Sequence, residues 1–345
     1  RGILTRGDKR FPGPGLSQVR GFFISAAGAG GRPCISIQNH SFTKKQIFRP
    51  IFLCFILENK IKDLFFKFEL KRNITILQGD SATGKTRLLN ILNASLKRKG
   101  NPFITVNTNA DYYVHIDGDW EKSFKDLTNH VIFIEESNDF VFTHEFARFV
   151  RDSGNYFVIV NREPIYALPY SVNEIYTLYS YEDKKVFRQV YSFKKIYSNF
   201  EESPMHFDTV MTEDSNAGFD FFTKFLKNCN IESAKGNTKF RQAISNSKSN
   251  GIYCIVDGAA FGCRIRDLYD YIKKKLNKRV YIWMPESFEW ILLKAGIFTI
   301  PDLDKILNDP SNYIESSKYF SWERFFTHLA TKYSDSRYKY DKDNL

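Results

Sequence analysis

The sequence has no apolar run long enough to cross a bilayer, which takes about 20 residues. Ile47 to Leu57 is too short and contains Arg49 and Pro50. Arg20 to Ile37 is interrupted by glycines and lacks a cleavage region, so it does not read as a secretory signal. No membrane partner is expected. Cysteine is sparse and unpatterned: Cys34, Cys54, Cys229, Cys254 and Cys263 are odd in number and scattered, with no CxxC or other zinc-like spacing. That excludes a disulfide framework and a cysteine zinc site, and predicts reduced thiols in a cytoplasmic protein.

Charge of one sign is in excess, but unevenly. The formal net charge is +11. Residues 1–44 hold seven Lys/Arg against Asp8 alone, which is +6 and leaves +5 for the remaining 301 residues. A nucleic-acid partner therefore does not follow from overall charge. The same 44 residues hold eight of the 19 glycines and no sustained periodicity. They read as a basic leader outside the fold: an over-extended reading frame or foreign sequence ahead of a native start between Gln46 and Asn59, or a disordered basic arm. Beyond them the chain is ordinary in hydrophobic content, 43%, and rich in aromatics, 16%.

Against those absences one stretch stands out. Ile74 to Gln78 is a short β-branched run, followed by Gly79-Asp80-Ser81-Ala82-Thr83-Gly84-Lys85-Thr86-Arg87 and an apolar-periodic segment through Leu92. This is strand–GxxxxGK[ST]–helix. The glycines let backbone N–H groups turn onto one anion, and the helix start adds its positive dipole end. The expected ligand is the phosphate chain of a nucleotide, ATP. Lys85 reaches the β- and γ-phosphates, and the Thr86 hydroxyl ligates Mg²⁺.

Two further strand ends complete the pattern. Val131 to Ile134 ends in Glu135-Glu136, so a buried parallel strand delivers two acids to the ligand-binding end of a sheet. Glu135 is expected to hold Mg²⁺ and Glu136 to polarise the attacking water, although Asp is usual at the first position. Tyr156 to Val160 ends in Asn161-Arg162. In additional-strand P-loop ATPases a polar residue there senses the γ-phosphate; Asn161 is the first candidate and Arg162 the second. No LSGGQ-like signature is present, and the interval from Lys85 to Glu135 leaves little room for the helical insertion of ABC ATPases. Ile175 to Tyr179 and Lys185 to Tyr191 read as a hairpin. Tyr197 to Met205 reads as a linker.

After the linker the α/β pattern restarts, with acids at successive strand ends: Glu213-Asp214 after Thr209 to Thr212, Asp257 after Ile252 to Val256, and Glu286 and Glu289 after Val280 to Trp283. Together with Gly236-Asn237-Thr238, this order resembles the Toprim domain of the overcoming-lysogenisation-defect family of ATPase–nucleases, over residues 207–295. The resemblance implies that Glu213, Asp257, Glu286 and Glu289 gather around a divalent cation for phosphodiester chemistry, in defence or mobile-element biology of bacteria. Two positions depart from it: the second acid of the DxD motif is Ala259, and no glycine follows Glu213. Those departures predict a degenerate domain that binds or signals without cutting.

The expected organisation is leader 1–44, a P-loop ATPase domain with a compact parallel sheet over 45–200, a second, Toprim-like α/β domain over 201–300, and a helical tail over 301–345. The expected function is an Mg²⁺-dependent ATPase coupling nucleotide state to a domain that acts on nucleic acid or a partner protein, with oligomerisation possible. An active ATP-gated nuclease and a small-molecule kinase are the alternatives.

Overall fold

A computed structural model describes residues 53–60, 64–80, 83–98, 100–184, 188–197, 207–275, 277–314, 319–334 and 340. The expectations for the leader, for the native start short of residue 53 and for most of the linker lie outside the described residues, as do Ser81 and Ala82 of the glycine loop.

The chain is α/β. In order it forms β1 (Leu53–Asn59), β2 (Leu64–Leu70), β3 (Ile74–Gln78), α1 (Lys85–Lys97), β4 (Ile104–Thr108), β5 (Asp111–His115), α2 (Trp120–Phe124), β6 (His130–Ile134), α3 (His144–Asp152), β7 (Tyr156–Val160), β8 (Ile175–Asp183) and β9 (Arg188–Lys195). There follow β10 (Thr209–Thr212), α4 (Ala217–Phe225), β11 (Asn230–Ser233), α5 (Phe240–Asn246), β12 (Gly251–Ile255), α6 (Gly262–Lys275), β13 (Arg279–Trp283), α7 (Phe288–Lys294), α8 (Leu303–Asn308) and α9 (Trp322–Tyr333).

Nine strands make the first sheet, in the order β4-β1-β2-β9-β8-β3-β7-β6-β5. Its half from β8 to β5 is parallel, with β3 between β8 and β7. Its other half is largely antiparallel: β8 returns as β9, and β1 pairs with both β2 and β4. The sheet is thus mixed rather than purely parallel. The reason is connection length: four residues separate β1 from β2 and four separate β8 from β9, too few for a parallel crossover.

Alternation along the strands divides the core in two. Leu77, Val131, Phe133, Val158 and Val160 face one side, where α1 lays down Leu88, Leu89, Ile91 and Leu92. Ile74, Ile76, Ile132, Ile134, Phe157 and Ile159 face the other side. This second face packs onto Phe146 and Val150 of α3, and one continuous cluster runs on to Phe240, Ile244, Ile265 and Leu268 of α5 and α6 and to Met211, Cys254 and Ile282 of the second sheet. That sheet is fully parallel, ordered β11-β10-β12-β13. The two sheets therefore share an apolar layer.

The short helix α2 has no clear sequence period. Asp119 caps it by accepting the Lys122 N–H, and Trp120 and Phe124 lock into rings from Phe140, Phe146 and Phe149. In the tail, Ser321 caps α9 by accepting the Arg324 N–H, and Phe325, Phe326 and Leu329 bury against Leu293, Ile300 and Ile306.

Candidate functional site

The carboxyl ends of β3, β7, β6 and β5 lie side by side, and the motif residues are delivered there. Gly79, at φ +126°, leaves β3, and Gly84, at φ +103°, starts α1; both are in the region that favours glycine. A Cβ on Gly79 would stand 2.5 Å from Thr177 Oγ1 of β8, so the loop is pressed against the neighbouring strand. Lys85 is buried, and its Nζ folds back into the loop. It donates to the Gly79 carbonyl at 2.7 Å, the Asp80 carbonyl at 2.8 Å and Thr83 Oγ1 at 3.2 Å. Burial holds its pKa below the ordinary lysine value, partly offset by Glu136 and Asp80 and reinforced by Arg162. Thr86 and Arg87 are exposed in the first turn of α1, and Asp80 is exposed in the loop.

Glu135 leaves β6 with its N–H bonded to the His115 carbonyl. Its Oε2 accepts from the Ser137 N–H at 2.8 Å and the Ser137 hydroxyl at 2.6 Å. Glu136 turns toward β7 and pairs with Arg162 Nε at 2.8 Å. Asn161, at the end of β7, is buried. Its N–H reaches the Leu77 carbonyl, and its Oδ1 accepts the Glu163 N–H. Its Nδ2 is a buried donor with no partner among the described residues. Such an atom costs about 1–3 kcal/mol unless an acceptor arrives. Lys85, Glu136, Asn161 and Arg162 thus form one constellation around the loop, with Glu135 and Thr86 at its rim.

A second set gathers at the carboxyl end of the second sheet. A cavity of about 310 Å³ is lined by the acids Glu213, Asp214, Asp257, Glu289 and Glu323. Glu213 Oε2 accepts the Asp257 N–H at 2.9 Å, Asp257 Oδ1 accepts the Ala259 N–H at 3.0 Å, and Tyr340 donates to Glu289 Oε1 at 2.8 Å. The Gly236 N–H bonds the Glu213 carbonyl, which sets the Gly236-Asn237-Thr238 turn beside it. Burial pushes the Glu213 carboxyl up to about 7. Burial, then Glu323 and Glu213, push Asp257 well above the carboxylate range. Among the described residues, however, no three such side chains are grouped closely enough to hold a metal ion. Glu323 was invisible to sequence reasoning because it comes from the tail, outside any strand-end pattern.

Glu286 goes elsewhere. Its Oε1 accepts from Arg72 Nη2 at 2.6 Å and Asn173 Nδ2 at 2.9 Å, and Arg72 Nε also pairs with Glu174 at 3.2 Å. Ala259, at the missing-acid position, lines a crevice with Arg72, Tyr170 and Trp322. That crevice lies between the two sheets, where an unpaired carboxylate would be costly.

One segment connects the two sets. Residues 161–174 run from the end of β7 to β8, docked against α6 and the turn that follows β12. Arg266 Nη1 donates to the Arg162 carbonyl at 2.6 Å, and the Tyr166 hydroxyl donates to Asp267 at 2.7 Å. The Gly262 N–H bonds the Tyr170 carbonyl at 3.0 Å. The Gly258 carbonyl, one residue after Asp257, accepts from both the Val172 N–H and Ser171 Oγ. Compared with known family models, curated proteins and solved structures, the chain matches none.

Proposed function

We propose that this chain is a magnesium-dependent ATPase whose nucleotide state is passed to the second α/β unit, which acts on nucleic acid or on a partner protein. The observation that carries the reading is the strand order. β7 stands between the glycine-loop strand β3 and the acidic strand β6, so Asn161 and Arg162 arrive between Lys85 and Glu136. The unpartnered Asn161 Nδ2 fits a phosphate oxygen as its missing acceptor.

Each residue then has a task. Gly79 to Thr86 present N–H groups, and Lys85 exchanges its loop carbonyls for β- and γ-phosphate oxygens. Thr86 and Glu135 would hold Mg²⁺, which when bound neutralises charge developing between those phosphates. Arg162 lets go of Glu136 in favour of the γ-phosphate, leaving the Glu136 carboxylate free to orient water. Asn161 reports the same phosphate. Because residues 161–174 end on Gly258 and Glu286, a shift of Arg162 is felt beside Asp257.

The test is ATP hydrolysis with Mg²⁺, run alongside incubation of the same protein with single- and double-stranded DNA or RNA plus Mg²⁺ or Mn²⁺. Hydrolysis that is lost in Lys85→Ala, with no cleavage, supports the regulator. The five carboxylates that line one cavity favour a second reading, the ATP-gated nuclease. It requires cleavage that disappears in Glu213→Ala. Phosphate transfer to a small acceptor would identify a kinase instead. A folded wild-type chain that neither binds nor hydrolyses ATP refutes the proposal.

A further inference from the structure

The second sheet is covered unequally. The crossovers through α5 and α6 both pack on the face carrying Met211, Cys254 and Ile282, which is also the face turned to the first sheet. The opposite face carries Val210, Tyr253, Ile255 and Trp283. Among the described residues its helical cover consists of α4, nine residues, and α7, seven residues. Parallel sheets ordinarily have both faces covered by helices. Here α4 and α7 leave a gap, and the gap is a recess of about 470 Å³. That volume is within the range of small-molecule sites, about 300–1,000 Å³.

The recess is lined by aromatic rings and aliphatic carbons, with Phe225 and Ile297 exposed at its mouth. Its lining includes one residue with a formal charge, Lys294 at the end of α7. Lys294 lies over the Trp290 ring at 4.7 Å and has no ion-pair partner among the described residues. Burial alone holds its pKa below the ordinary lysine value. An apolar slot with one half-buried lysine in its lining, whose flexible stem can carry the ammonium to a bound group, is complementary to a flat apolar body bearing one negative group.

We propose that the recess between α4, α7 and the sheet is a binding site for a small amphipathic anion, its ring system on Phe221, Tyr253 and Trp283 and its carboxylate or other acid group on Lys294. The site is remote in sequence from the glycine loop and does not rest on the ATPase reading.

The probe is 1-naphthaleneacetate, compared with its neutral amide, titrated calorimetrically into the full chain. The acid is expected to bind at one site per chain. Lys294→Gln should weaken the acid about tenfold or more and leave the amide within about twofold. Ala295→Trp, which fills the recess from an exposed position on its rim, should abolish binding of both while leaving the thermal transition in place. No saturable binding, acid affinity unchanged in Lys294→Gln, or binding that survives Ala295→Trp would overturn the proposal. So would chain dimerisation reversed by Ala295→Trp without ligand binding, which would assign the recess to a second copy.

Discussion

Replacing Arg72 by Met tests how the two halves are held together. Arg72 precedes the glycine-loop strand and is buried, its side chain 9% exposed against 3% for Glu174 and 13% for Glu286. It pairs with both carboxylates and lies 3.5 Å from the Trp322 ring centre. Methionine fills similar space and removes the charge. Stranding buried carboxylates costs about 3–5 kcal/mol, and losing the ring contact adds about 0.5–2 kcal/mol. A total near 4 kcal/mol is a large part of a stability of about 5–15 kcal/mol. With an m-value of about 3 kcal/mol/M, the urea midpoint should fall by about 1.3 M. The sign of the pH dependence follows from Glu174, which burial already holds above the ordinary carboxylate value. Without Arg72 it rises further, so the variant's stability is lost as pH rises through that window. The deficit against wild type should be full on the alkaline side and narrow as the pH falls. Arg72→Met combined with Glu174→Gln and Glu286→Gln should recover most of the loss. A deficit under about 1 kcal/mol, or one independent of pH, would show that this network does not hold the halves together.

Other outcomes follow from single contacts. Gly79→Ala should destabilise by about 1–3 kcal/mol and weaken nucleotide binding in a fluorescent-nucleotide titration; adding Thr177→Ala should return only the part due to the 2.5 Å clash, since φ +126° stays strained. Because Glu213 titrates near 7 when folded and near 4.5 when unfolded, the folded chain holds an extra proton between those values, and its contribution to stability is lost as pH rises through them, at up to about 1.4 kcal/mol per unit. Glu213→Gln should flatten that slope in urea melts recorded from pH 4.5 to 7.5, leaving the part due to Asp257. Gly262→Ala places a Cβ 2.4 Å from the Tyr170 carbonyl; it should loosen residues 161–174, read as faster amide exchange there, while Lys85 keeps its loop contacts. Asn161→Leu removes an unpartnered donor together with the oxygen that accepts the Glu163 N–H; the two effects oppose each other, so the melting temperature should change little while ATP turnover falls at least about tenfold.

The local pieces are written in residue type and pattern. Gly79 and Gly84 bound the loop because β3 must turn into α1 at positive φ, and that requirement is written in residue type. The buried strands ending in Glu135-Glu136 and Asn161-Arg162 were legible because continuous apolar runs mark central parallel strands. So were β10, β12 and β13 with their terminal acids. The tertiary structure decided which ends meet. Placing β7 between β3 and β6 brought Asn161 and Arg162 to Lys85, and hydrogen bonding between strands distant in sequence sets that order. Glu286 went to Arg72 because a buried guanidinium at the contact of the two sheets demands carboxylates more strongly than a cavity already holding several acids. Glu323 joined that cavity because α9 folds back across it through Phe325 and Phe326, a long-range apolar contact that no strand-end pattern encodes. The sharing of one apolar layer by both sheets was equally hidden, since alternation along a strand says that a face is buried and not what buries it.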